Sequence, residues 1–143
     1  MNLFSAMDTA STGVHLGRVW LDAVSDNIAN LNTVRPAGEE PFRARLVVAQ
    51  SRPGLDGVKV AGVELKGGDP VVTYDPGNPL ADEGGYVTQP RVDLSEEMTH
   101  MLVSQRLYQA NLAMIQQARA DMDGQREKER ARQLVDEMRN ALR

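Results

Sequence analysis

Leu3, Met7, Ala10, Val14, Gly17, Leu21, Val24, Ile28 and Leu31 follow one another at alternating intervals of four and three residues, and only Gly17 among them has no apolar side chain. This is a heptad seam, the pattern of a helix that lies along another helix rather than on a broad core. A second run, Leu94, Met98, Met101, Gln105, Tyr108, Leu112, Ile115, Arg119 and Met122, repeats it near the other end of the chain. At roughly 1.5 Å rise per residue each run is about 43 Å long. Two seams of equal length, one towards each terminus, predict that the terminal helices pair as an antiparallel coiled coil, and they make assembly rather than catalysis the leading class of function.

Composition supports a slender helical protein. Only 4% of the 143 residues are aromatic, so burial has to rely on Val, Leu, Met and Ala. A net charge of −4 offers no general attraction to nucleic acid or to anionic membranes. With no cysteine there is neither a disulfide framework nor a thiolate metal site. No segment approaches the roughly 18 consecutive apolar residues of a membrane span. The first charge is Asp8 and the first base is Arg18, which does not match a cleavable secretory signal. The expectation is a chain that stays in the cytosol or leaves the cell by a route that does not use such a signal.

Between the seams the pattern changes. The first helix is expected over 3–31, stopped at Asn30-Leu31-Asn32-Thr33 by asparagines that tolerate left-handed backbone, with Pro36, Gly38 and Pro41 beyond. Phe42, Ala44, Leu46 and Val48 then alternate as in a strand. Val58 to Val60 and Val63 to Leu65 form a second strand or pair with a bulge at Ala61-Gly62, Val71 to Tyr74 a third, and Tyr86 to Thr88 a fourth. Asp93 with Glu96 three residues on is a capping box that starts the second long helix. Asp123-Gly124 is expected to interrupt that helix, and 125–142 to be a further helical segment, either a kinked continuation or a separate tail. The fold class is thus mainly α with a small β-rich insertion: 1–34 N-terminal helix, 35–92 β-rich lobe with loops, 93–123 C-terminal helix and 124–143 helical extension.

Catalytic groups are scarce. His15 and His100 each fall beside a seam, where helix surface is their simplest role. The glycine pairs lie in turns between short strands and not between a strand and a long helix, so they do not form a phosphate loop. No serine lies in a nucleophile elbow, and Glu96-Glu97 are explained by the dipole at a helix start. Neither an enzyme, a cofactor nor a metal is expected. The alternating charges of Arg126, Glu127, Lys128, Glu129, Arg130 and Arg132 form a solvated helical face whose acids offset its bases.

Several segments resemble the bacterial flagellar basal-body rod protein family. Asn27-Ile28-Ala29-Asn30-Leu31-Asn32-Thr33 is similar to the N-terminal signature of rod and hook proteins. Tyr74-Asp75-Pro76-Gly77-Asn78-Pro79-Leu80-Ala81-Asp82, Gly85-Tyr86-Val87 and Pro90-Arg91-Val92-Asp93 resemble the small proximal rod proteins rather than the larger hook and distal-rod proteins. Glu97-Met98 and Arg106-Leu107-Tyr108-Gln109-Ala110-Asn111 continue the likeness on the second helix. Arg91 stands where the family usually has asparagine, and about a dozen C-terminal residues have no counterpart.

The resemblance implies export through the flagellar type III apparatus without a cleaved signal, and a place in the periplasm-spanning rod. It implies terminal helices that form the inner tubular wall around the export channel, and a shaft that transmits motor torque. The implied partners are other rod proteins, the rod–export-gate junction protein and copies of the chain itself. Another axial flagellar protein, or a cytosolic coiled-coil adaptor, is the competing reading.

Overall fold

The computed structural model describes residues 3–54 and 56–141. Helix α1 (Leu3–Ala29) and helix α2 (Leu94–Ala141) are joined by a β-rich insertion of five strands. These are β1 (Arg35–Pro36), β2 (Arg45–Ser51), β3 (Val58–Leu65), β4 (Val71–Tyr74) and β5 (Tyr86–Gln89). Strands β2 and β3 form an antiparallel hairpin in which Val48 faces Gly62 and Ala49 faces Val60, so Ala61 is the extra residue of a bulge. The other three make an antiparallel sheet in the order β1-β5-β4.

Two terminations differ from the sequence expectation. No non-glycine residue among those described has positive φ, so left-handed asparagine does not stop α1. The last turn instead tightens, with Leu31 N donating to Ile28 O at 3.2 Å and Thr33 N to Asn30 O at 3.1 Å. The Asn30 amide donates back to Asp26 O at 2.9 Å. At the other site, Asp123-Gly124 does not interrupt α2, which is one continuous helix from Leu94 to Ala141. A single glycine costs about 1 kcal/mol relative to alanine, too little to break a helix flanked by good helix formers. At the start of α2 half of the expected box is present: Asp93 Oδ1 accepts from the Glu96 N–H at 3.0 Å, while the Glu96 carboxylate pairs with Lys66 Nζ at 2.8 Å.

The hairpin β2–β3 lies along α1 and is tied to it by polar contacts from end to end. Asp26 bridges Arg45, Thr12 Oγ1 accepts from Val58 N at 3.1 Å, and Asp8 meets Arg52 at 2.7 Å. Helix α1 is therefore held between α2 and the hairpin. The buried aliphatic residues are Ala10, Ala23, Val24, Ala44, Val87 and Ala118. Among the described residues no Leu, Ile, Met, Phe, Tyr or Trp is fully buried. The centre of this fold is thus made of small side chains, and its large apolar ones lie at or near the surface.

Candidate assembly surface

The two helices do pair antiparallel. Asn27 reaches Glu97, the Trp20 and His100 rings meet at a tilt with centroids 5.9 Å apart, and Gly17 lies against Tyr108. Yet the line of contact is offset from the expected seams. On α1 the buried positions include Ala10, Gly13, Gly17, Val24 and Asn27; on α2 they are Glu97, Ser104 and Ala118. With the half-buried Met101, Tyr108, Asn111, Ile115 and Met122, the α2 line keeps the three-four rhythm but runs one residue earlier at every second position. Glu97, Ser104, Asn111 and Ala118 thus take the places expected of Met98, Gln105, Leu112 and Arg119.

Small residues explain the offset. A Cβ added to Gly17 would stand 3.1 Å from Tyr108 N, Cα and Cβ, and one added to Gly13 would collide with the Asn111 amide. The helices approach closely along Gly, Ala and Ser, and the larger side chains are displaced to the flanks. Leu3, Met7, Val14, Leu21, Ile28 and Leu31 are half-buried beside the contact line, while Ala10, Gly17 and Val24 lie in it. On α2, Met101, Tyr108, Leu112, Ile115 and Met122 are half-buried, but Leu94, Met98, Gln105 and Arg119 are exposed. The polar pair Gln105 and Arg119 is therefore no defect in the helix–helix contact, because neither residue lies in it. Exposed with them on α2 are Leu102, Val103 and Met114.

Three residues join α1, β2 and α2 at one point. Asn27 is 1% and Glu97 2% exposed. The Asn27 amide donates to Glu97 Oε2 at 3.1 Å and to Arg45 O at 3.1 Å. Its carbonyl accepts from Arg45 N at 2.8 Å. Hydrophobic periodicity gives no sign of this cluster, since two of its members are polar residues on helix faces. The resemblance did single out Asn27 and Glu97. It also singled out the β4–β5 loop, which folds on its own polar groups. Asp82 Oδ1 accepts from Gly84 N at 2.9 Å and Tyr86 N at 2.8 Å, and Asp75 N donates to Gly85 O at 2.8 Å. Gly85 has φ +80 and lies under Tyr74 and Pro76, so a side chain there would be both strained and blocked. The Asn78 side-chain Oδ1 accepts from Leu80 N at 3.1 Å and sets the turn that carries Pro79 and Ala81.

His15 is exposed and His100 is half-buried beside Trp20. Among the described residues no group of three His, Asp or Glu side chains is placed to hold a metal ion. No described helix is long and apolar enough to cross a membrane.

Known proteins resemble this chain across the same elements. Residues 7–36 match the family of flagella basal body rod proteins. Residues 83–124 match the C-terminal family of flagellar basal body rod FlgEFG proteins. The flagellar basal-body rod protein FlgC of Salmonella typhimurium is 36% identical over 126 residues, covering 85% of this chain and 94% of that protein. FlgC of Agrobacterium fabrum is 38% identical over 122 residues, 82% and 88% of the two chains. FlgC of Borreliella burgdorferi is 33% identical over 141 residues, 84% and 93%. With both terminal helices and nearly the whole length of these relatives matched, the chain belongs to the FlgC family of flagellar basal-body rod proteins and is a structural subunit of the rod.

Proposed function

We propose that this subunit occupies the proximal rod and polymerises through the flanks of α1 and α2, forming part of the torque-transmitting shaft around the export channel. Its partners are other rod proteins, the rod–export-gate junction protein and copies of itself, and the flagellar export apparatus in transit. It works by assembling and not by catalysing a reaction. The observation that carries this reading is the distribution of apolar side chains. Large ones are left half-buried or exposed in rows along both helices, as Leu94, Met98 and Leu102 are, at 44%, 55% and 56% exposure. Rows of that kind on a small protein are unstable surface unless a partner covers them.

The same distribution suits passage through a narrow export channel in an unfolded state, without a cleaved signal. A centre built of Ala and Val gives up little burial on unfolding, and the contacts missing from the single chain are gained from neighbours in the rod. Residues 41–91 set the lateral spacing outside the helices. Purification of hook–basal bodies tests the reading: the protein is expected in that fraction with the other rod components. Retention in the cytosol, as for a coiled-coil adaptor, would refute it.

A further inference from the structure

Three separate stretches of the chain close around one cavity near the start of α2. Residues 40–44, which lead into β2, residues 66–70, which join β3 to β4, and Arg91 line a space of about 180 Å³. Lys66 N donates to Ala44 O at 2.6 Å and pins the first two stretches together. Gly68 has φ +115, and a Cβ there would stand 3.6 Å from Arg91 Cδ and 3.9 Å from its Nη1. The arginine side chain thus lies over a backbone position that favours glycine.

The lining is apolar on one side, where Pro41, Phe42, Ala44 and Pro70 contribute, Pro41 and Ala44 from buried positions. Its charged groups differ in whether they are already matched. Arg43 pairs with Glu40 at 3.3 Å, and Lys66 pairs with Glu96 at 2.8 Å. The side chains of Arg91 and Asp69, both on exposed residues, form no ion pair or hydrogen bond with any described residue. The Gly67 and Gly68 N–H groups likewise donate to no described residue.

One unmatched cation and one unmatched anion beside an apolar wall complement a small molecule that carries both charges. A simple carboxylate would satisfy Arg91, whose planar guanidinium suits that group, but would also meet Asp69. A simple amine would satisfy Asp69 and meet Arg91. The volume lies below the roughly 300 Å³ at which ordinary ligand sites begin, too small for a nucleotide or a peptide of several residues.

We propose that this cavity binds a single free α-amino acid with an apolar side chain. Its carboxylate accepts from the Arg91 guanidinium and from the Gly67 and Gly68 N–H groups. Its ammonium donates to the Asp69 carboxylate, and its side chain rests on Pro41, Phe42 and Pro70. Filled, the site ties the approach to β2, the β3–β4 connection and the entry to α2 to one another. The inference goes beyond the rod-subunit reading and does not depend on it.

Binding is read by NMR on the isotope-labelled full-length chain, with L-valine as the probe. The amide signals of Gly67, Gly68 and Asp69 and the Arg91 Nε signal are expected to shift and saturate with a Kd of about 1 mM, within reach of so small a ligand. Isovalerate and isobutylamine keep the branched carbons and only one charge each, and should bind at least about tenfold more weakly.

Arg91→Gln and Asp69→Asn should each weaken L-valine binding at least about tenfold. Neither substitution removes a partner from within the chain, and unchanged signals elsewhere in the spectrum report an intact fold. Absence of saturable shifts with L-valine would overturn the proposal. So would unchanged affinity in either variant, or isovalerate binding as tightly as L-valine, which would mark a plain anion site.

Discussion

Replacing Asn27 by alanine removes one side chain from the point where α1, β2 and α2 meet, and its cost can be worked from the contacts. Asn27 makes three hydrogen bonds: to Arg45 O at 3.1 Å, to Glu97 Oε2 at 3.1 Å, and from Arg45 N at 2.8 Å. At a net value of about 1 kcal/mol each, their loss amounts to about 3 kcal/mol. Alanine recovers up to about 0.7 kcal/mol through its better helix propensity. The expected loss is therefore about 2.5 kcal/mol, or roughly 60-fold in the folding constant at about 1.4 kcal/mol per tenfold.

Urea unfolding of the isolated chain, followed by circular dichroism, reads this as a fall in midpoint of about 1.7 M if the slope is about 1.5 kcal/mol per molar. Asn27 and Glu97 act on each other, so Asn27→Ala and Glu97→Ala should be non-additive by about 1 kcal/mol in a double-mutant cycle. A loss below about 1 kcal/mol for Asn27→Ala, with additive double-mutant behaviour, would refute the claim that this cluster clamps the lobe to the helices.

Further outcomes follow from the helix contacts. Gly17→Val forces a branched side chain against the Tyr108 backbone, 3.1 Å from where its Cβ would stand, and should lower stability by about 2 kcal/mol in the same titration. Gly124→Ala meets nothing within 4 Å and should raise stability by about 0.5–1 kcal/mol, seen as a higher Tm. Leu21→Asp and Leu112→Asp place a charge on the half-buried flanks and should abolish swimming with the protein still made. Normal motility in both would remove the flanks from the assembly role. Backbone amides of 3–31 should exchange measurably faster in the isolated chain, where α1 is held only by the marginal single-chain fold, than in purified basal bodies. Equal protection in the two states would exclude a gain in α1 stability on assembly.

The rhythm of the helices was legible in the chain, and so were most strands and the bulge at Ala61, because turn chemistry and alternation are local signals. The phase of the helix contact was not. Hydrophobic periodicity locates large apolar side chains, and here these lie on the flanks of the helix contact, half-buried or exposed. The true contact line runs over Gly13, Gly17, Ser104, Asn111 and Ala118, which carry almost no hydrophobic signal. The sign that could have located it is the recurrence of small or polar residues every seven positions, at 97, 104, 111 and 118. The helix across Asp123-Gly124 was missed for another reason: a glycine weakens a helix, but by less than the surrounding helix formers sustain. The two-residue strand β1 is too short to leave a periodic trace. In the β4–β5 loop, resemblance located the residues, and the hydrogen bonds of Asp82 and Asn78 give their physical reason.

The central claim is that the helix flanks complete their burial only among neighbouring subunits, and natural methionines measure it directly. Met98 is 55% exposed in the single chain, and Met7 and Met101 are half-buried. Brief oxidation followed by mass spectrometry should convert Met98 readily in the isolated protein and leave Met7, Met98 and Met101 protected in purified hook–basal bodies. Equal oxidation of Met98 in the two states would contradict the account.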